Sequence, residues 1–481
     1  MQCLQPLLPP LYSYFLRRSR IRQFLRAPSF HGIGTMKRKA ADTKESPQVK
    51  RQKEPVPDYC DIQTRKGDNG SILWPASLEA IEVARQYIKE CAASKEKTLI
   101  VPDKDADGLD AGVIIHRTLT ALGAEASSID VHLVGKGKSI HDEEEREAMS
   151  AKSPKYIIVV DQGSRPAPPV VDDPGVQSLI IDHHLSDEFP KNAKVVSACH
   201  YPPVATSSLL TYEICKALHP DVASSCGYLC VMGTHGDLGN TLKWDPPFPD
   251  MKEVFKTHTK KAINDAVSLL NAPRRTSRFD VISAWSALLS ATSPKEILTN
   301  PRLLSARAEI NDEVERQTHT APKFSKDGTI AVFRIHSAAQ VHPVIATRWA
   351  GHLKSSKLEI VLVANSGYLP GMVNFSCRVA RCARTHDPPV NIISSLKAVA
   401  DLDTTDLVQR MGESFARGHK EASGGIIPQR EFEELMALMK VGEKPDPAEE
   451  TEGKRTKTKT KTVERSPQKN TLGNYFGKKK S

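Results

Sequence analysis

The run Thr98-Leu99-Ile100-Val101-Pro102-Asp103-Lys104-Asp105-Ala106-Asp107-Gly108 decides the fold. An apolar strand over 98–101 runs straight into an acidic turn, and a helical pattern over 109–122 follows, closed by Gly123. That is the opening of a strand–helix unit, and the unit recurs. Further strands are expected over 130–134, 156–160, 178–181 and 194–196, with helical patterns between several of them. Upstream, Leu78, Ile81, Ala84, Ile88 and Cys91 recur at helical spacing, with Ser77 as their cap. Alternating helix and apolar, β-branched strand predicts an α/β fold with a mainly parallel sheet.

Working outward, residues 253–325 read mostly as helix and connector. A second α/β block follows over 326–440, with strands at 329–335, 358–364 and 371–379 and helices at 342–353, 390–399 and 429–440. The expected organisation is five segments. A basic tail spans 1–58, the first α/β domain 59–252 and the connector 253–325. A smaller mixed-sheet domain spans 326–440, and a second basic, disordered tail 441–481.

Charge supports this division. Residues 1–58 hold 12 Lys and Arg against 4 Asp and Glu, and residues 441–481 hold 11 against 6. The body between carries 44 basic and 47 acidic residues, so the net charge of +10 belongs to the tails. Basic tails imply polyanionic partners or import receptors. Nine cysteines without a Cys-x-x-Cys pair fit a reduced compartment. No apolar run reaches the roughly 18–20 residues needed to span a bilayer, which argues against a membrane role.

Four acidic segments are expected in equivalent places, each just after an apolar strand. They are Asp103 to Gly108, Asp161-Gln162-Gly163-Ser164, Asp182-His183-His184, and Gly233-Thr234-His235-Gly236-Asp237 behind the apolar stretch 227–232. In an open parallel sheet the carboxyl ends of the strands converge on one crevice at the topological switch point. Carboxylates gathered there repel unless divalent cations neutralise them. Carboxylate with imidazole suits Mn²⁺ or Mg²⁺ better than Zn²⁺ or Co²⁺. An aspartate after a strand is by itself more often a cap, and a histidine pair more often structural. The conjunction of four segments in order is what carries the reading.

These motifs resemble the DHH phosphoesterase family, named for the triplet that stands here as Asp182-His183-His184. Asp103 to Gly108 is similar to the first motif of its RecJ-type nuclease branch, Asp161 to Ser164 to the second, and Gly233 to Asp237 to the fourth. Ala205-Thr206-Ser207-Ser208-Leu209 resembles the helix start that follows the triplet. The resemblance covers about residues 72–245. It extends to Asn374-Phe375-Ser376-Cys377-Arg378 and to the run from Gly418-His419 to Gly424-Gly425, which resemble the first type of DHH-associated domain.

The resemblance implies two cations, Mn²⁺ or Mg²⁺. Asp161 would bridge them, Asp105, His183 and Asp237 would complete one site, and Asp103 would serve the other. A water activated between them would attack phosphorus in line. His184 would neutralise charge on the phosphoryl oxygens, Asp182 would orient a histidine ligand, and Asp107 would support the first motif. Arg378, Gly418, His419, Gly424 and Gly425 would bind substrate. His235 is a further candidate within the fourth motif. Some branches place a histidine ahead of the first aspartate, where this chain has Leu99, Ile100, Val101 and Pro102.

The function expected first is hydrolysis of phosphodiester bonds in single-stranded nucleic acid by a RecJ-like exonuclease. A hydrolase of short oligonucleotides, small nucleotides or polyphosphate is the enzymatic alternative, and an inactive replication scaffold the other. Lys37-Arg38-Lys39 with Lys50-Arg51-Gln52-Lys53 resembles a bipartite nuclear import signal. Arg17, Arg18, Arg20, Arg22 and Arg26, without an acidic residue before Met36, resemble a mitochondrial presequence used if translation starts at Met1. Leu472, Tyr475 and Phe476 resemble a sliding-clamp binding peptide.

Overall fold

The computed structural model describes residues 64–67, 70, 72–412 and 414–443. Both targeting signals and the clamp-like peptide lie outside them. The first sheet has five strands, β1 (Thr98–Pro102), β2 (Ile129–Val131), β3 (Tyr156–Val160), β4 (Gln177–Asp182) and β5 (Ala193–Ser197). All pair in parallel in the order β2-β1-β3-β4-β5. Alternate side chains enter opposite layers. Ile100, Ile158, Val160, Leu179 and Ile181 pack into one core, and Leu99, Val101, Ile157, Val159 and Ile180 into the other. Burial on both faces explains why these strands read as continuous apolar runs.

The chain runs from β1 outward to β2 and returns to β3 on the other side of β1. The order therefore reverses between β1 and β3, and the residues just past their ends, Asp103 and Asp161, stand at the switch point. The Asp103 amide donates to Val160 O at 3.0 Å, which ties the two ends together.

The helix after β1 spans Ala106–Ala121, three residues earlier than the apolar periodicity indicates. Asp105 caps it, accepting from the amides of Asp107 and Gly108, so Asp107 lies in the first turn. A larger correction concerns the fourth acidic segment. The stretch expected as a strand is the helix Gly227–Leu238, packed on Ala106–Ala121 and on Ser207–Cys215. Three of the acidic segments follow strands, and the fourth is the end of a helix.

The second sheet has six strands, β6 (Lys323–Phe324), β7 (Ile330–Ile335), β8 (Ile360–Asn365), β9 (Met372–Val379), β10 (Arg417–His419) and β11 (Ala422–Pro428). Their order is β10-β11-β9-β8-β7-β6, with only β7 and β8 parallel, hence a mixed sheet. One face carries Val373, Phe375 and Cys377 against the helices Ile392–Ala400 and Gln429–Leu438. The other carries Phe333, Val361 and Val363 against the helix His342–His352. The helix Pro301–Gln317 joins the halves. Its Leu303 belongs to the first core, and its Ile310 and Val314 to the second. Among the described residues, no helix is long and apolar enough to cross a membrane.

Candidate metal centre and the facing cationic wall

Asp161 follows β3 with φ +64, in the left-handed region that aspartate tolerates better than most side chains. Its amide donates to Ile181 O at 3.0 Å, and its carboxyl, 3% exposed, accepts from Ser207 Oγ at 2.9 Å. His183 Nε2 lies 3.3 Å from Asp161 Oδ1 and 3.2 Å from Asp237 Oδ2. It meets neither at a hydrogen-bonding angle and stays a buried nitrogen without a partner.

Three sets each bring one ligand atom per residue within 4.8 Å of one another. They are Asp103, Asp105 and Asp161; Asp107, His183 and Asp237; and Asp161, Asp182, His183 and His184. All eight residues of the acidic and histidine motifs thus gather at one place, though not in the expected grouping. Asp107, not Asp105, stands with His183 and Asp237. Asp105 caps its own helix and lies 3.8 Å from Arg274, whereas the fully buried Asp107 accepts from the amides of Ser207 (2.7 Å) and Ser208 (3.1 Å).

Close packing is built into this arrangement. A Cβ on Gly233 would lie 2.2 Å from Ser208 Oγ and 2.7 Å from Asp107 Oδ1, so the helix of the fourth segment can approach only with glycine there.

Asp182 is fully buried and accepts from Ser164 Oγ (2.6 Å), the His183 amide (2.7 Å) and His184 Nδ1 (2.8 Å). The imidazole it orients is therefore that of His184, not of His183. His235 is engaged elsewhere, with Nδ1 on Asn264 and Nε2 accepting from Trp244 Nε1.

The electrostatics suit a cation. Burial and the neighbouring Asp237 push Asp107 up to about 6, and burial with Asp107 pushes Asp161 well above the carboxylate range. Burial opposes charge on His183, but Asp161 and Asp237 outweigh it and hold the imidazole well above its ordinary value. Burial likewise opposes ionisation of Asp103, and Lys104 and Arg274 overcome it to hold that carboxyl low. Crowded buried carboxylates around an unpartnered imidazole nitrogen form a donor set that a divalent cation would satisfy.

A cationic cluster adjoins these carboxylates. Arg274, beside Asp105, precedes Arg275, whose backbone carbonyl accepts from the Gln340 amide at 2.8 Å. Burial and the neighbouring Arg274 lower Arg275 to about 9. Burial also drives His342 down to about 3, aided by Arg275 and Arg378. The face of β9 bearing Asn374, Ser376 and Arg378 turns away from the core that takes Val373, Phe375 and Cys377. Arg378 donates to Ser376 Oγ and Cys377 O. Arg275 Nε, His342 Nδ1 and Asn374 Oδ1 are buried without hydrogen-bond partners.

The glycines expected to cradle substrate behave differently. Gly424 and Gly425 lie inside β11 opposite Ser376 and Phe375, and a Cβ on either would meet backbone oxygen at 2.5–2.6 Å. Gly418 pairs with Ser423, and His419 ends β10 with its backbone opposite Ala422.

Sequence reading did not single out Arg274, Arg275 or His342, and it named Ser207 only within the helix start over 205–209. An Arg-Arg pair directly after an apolar helix end is a visible signal in hindsight. The histidine carries none without the fold.

Residues 97–234 match the DHH family, N-terminal domain. The single-stranded-DNA-specific exonuclease RecJ of Bacillus subtilis (strain 168) is 26% identical over 174 residues, which are 34% of this chain and 22% of that protein. The match therefore spans less than a quarter of that relative's length. The fold is similar to RecJ from Thermus thermophilus in complex with Mn²⁺, with TM-score 0.53 and 17% identity over 76% of this chain and 55% of that one. It is similar to an exonuclease RecJ bound to manganese, with TM-score 0.51 and 17% identity over 77% and 95%. The DHH domain of a member of the s1p family of ribosomal proteins gives TM-score 0.54 and 14% identity over 75% and 90%.

Proposed function

From the premise that this chain belongs to the DHH family and is RecJ-like in build, we propose that it is a metal-dependent phosphodiesterase. Its substrate would be single-stranded nucleic acid, shortened from an end. One observation carries this reading: arginines adjoin the cluster of acidic ligands, with Arg274 3.8 Å from Asp105.

Asp103, Asp105, Asp107, Asp161, His183 and Asp237 would hold the cation or cations, Mn²⁺ or Mg²⁺. Bound there, such ions supply an activated water and neutralise phosphoryl charge. With Nδ1–H donated to Asp182, His184 keeps Nε2 for a phosphoryl oxygen, and its side chain is 60% exposed for that contact. Asp182 holds the imidazole above its ordinary range against the opposing effect of burial, which favours the donor form. Across the cleft, Arg275 Nε, His342 Nδ1 and Arg378 would bind and orient the backbone phosphate of the strand.

A second reading, hydrolysis of short oligonucleotides or small nucleotides, is favoured by the body's balance of 44 basic against 47 acidic residues. Long strands are commonly tracked by a strongly positive groove. The experiment is to incubate the protein with Mn²⁺ and end-labelled single strands of graded length, beside an Asp182→Ala/His183→Ala variant. Progressive shortening of long strands, lost in the variant, is the expected result. Cleavage restricted to two- to five-mers selects the second reading, and no turnover at any length defeats both. Import to the nucleus, or to the mitochondrion from Met1, and clamp binding through Leu472, Tyr475 and Phe476 remain proposals about the tails.

A further inference from the structure

Ser207 opens the helix Ser207–Cys215 and is fully buried. Its amide donates to Asp107 Oδ2 at 2.7 Å and its hydroxyl to Asp161 Oδ1 at 2.9 Å. One residue thus holds a carboxylate of the first acidic motif and another of the second, 54 positions apart in the chain. Among the described residues, this hydroxyl supplies the side-chain hydrogen bond that Asp161 accepts, because His183 Nε2 lies near but off angle. Neither neighbouring hydroxyl is hydrogen-bonded to Asp161. Ser208 Oγ points to Cys230 O at 3.4 Å, and Thr206 Oγ1 lies 3.2 Å from Thr234 Oγ1.

Asp161 belongs to two of the three ligand sets, so any rotation of its carboxyl disturbs both. Its backbone is set by the left-handed turn and the bond to Ile181 O, but that leaves the side-chain torsions free. We infer that Ser207 is a positioning residue of the metal centre: its hydroxyl fixes the rotation of the Asp161 carboxylate, and its amide locks that orientation to the first motif through Asp107. A hydroxyl has one proton, and here it goes to Asp161. Replacing it removes the constraint without removing a ligand. Partners of this kind typically weigh 10–100-fold in metal affinity.

The inference rests on the metal-centre reading, and the test separates the two. Mn²⁺ binding to the full chain is followed by electron paramagnetic resonance of free Mn²⁺, with melting in EDTA recorded alongside, for wild type, Ser207→Ala, Ser207→Cys and Thr206→Val. The expected result is a roughly 10–100-fold weaker Mn²⁺ affinity for Ser207→Ala. The poor thiol donor of Ser207→Cys should fall between, Thr206→Val should bind as wild type, and all should melt alike in EDTA.

Equal affinity across the set overturns the inference, as does an equal loss in Thr206→Val, which would mean general damage to the helix start. Unfolding of both Ser207 variants in EDTA would assign the hydroxyl to stability and overturn it too. A wild type that binds no Mn²⁺ sinks the metal centre itself. A wild type that binds Mn²⁺ but cleaves nothing sinks the proposed reaction and leaves the role of Ser207 standing.

Discussion

Buried against two guanidinium groups at the start of its helix, His342 has its ordinary pKa near 6.5 lowered to about 3. A folded value below the unfolded one means the unfolded chain binds more protons between those limits. The stability this group contributes is complete above pH 6.5 and is lost as pH falls toward 3. At about 1.4 kcal/mol per pH unit, wild type should lose about 2 kcal/mol more between pH 7 and 5 than His342→Gln does. Urea unfolding at several pH values checks this, and parallel pH profiles would refute it. The same residue shows where sequence reading stops. Asp103, Asp161, Asp182 and His183 were legible because each sits in a motif with glycine or a strand beside it. His342 is a single histidine before a proline, and only its burial near the charges of Arg275 and Arg378 distinguishes it.

Strands β1, β3, β4 and β5 were legible within a residue or two because burial on both faces demands uninterrupted apolar runs. The helix Gly227–Leu238 was not. Its segment Gly227-Tyr228-Leu229-Cys230-Val231-Met232 is uncharged and buried throughout, and such a run has no period by which to tell strand from helix. Its Gly233 marks the contact that matters. Gly233→Ala would drive a methyl into Ser208 Oγ and Asp107 Oδ1, so the helices must part. Overpacking of this kind costs roughly 1–3 kcal/mol, and the urea midpoint should fall accordingly. A variant that unfolds at the wild-type midpoint would show that this contact has room to spare. Strand β11 was missed for a related reason. Its Ser423-Gly424-Gly425 reads as a loop, yet those glycines are dictated by the nearness of Phe375 and Ser414.

Across the whole molecule the two α/β halves also touch directly. Lys136, on the loop after β2, donates to Ala338 O at 2.9 Å and sits 4.1 Å from the centre of the Tyr368 ring, while Gly137 abuts Leu369. A double-mutant cycle of Lys136→Ala and Tyr368→Leu should return a coupling of about 0.5–1 kcal/mol. Simple additivity would mean the bridge carries no energy.

The helix Pro301–Gln317 has a deeper effect. Seated in both cores, it is further tied to the second half by Ser337 donating to Glu313 and by Gln317 donating to His336 O. Such a strut couples the two cores, so swinging the halves apart would strip apolar contacts from one of them. The placement of Arg274 beside Asp105 is therefore set as the two cores form. On the proposed reading, an incoming strand would meet a frame already in register, and its binding energy need not be diverted to assembling one.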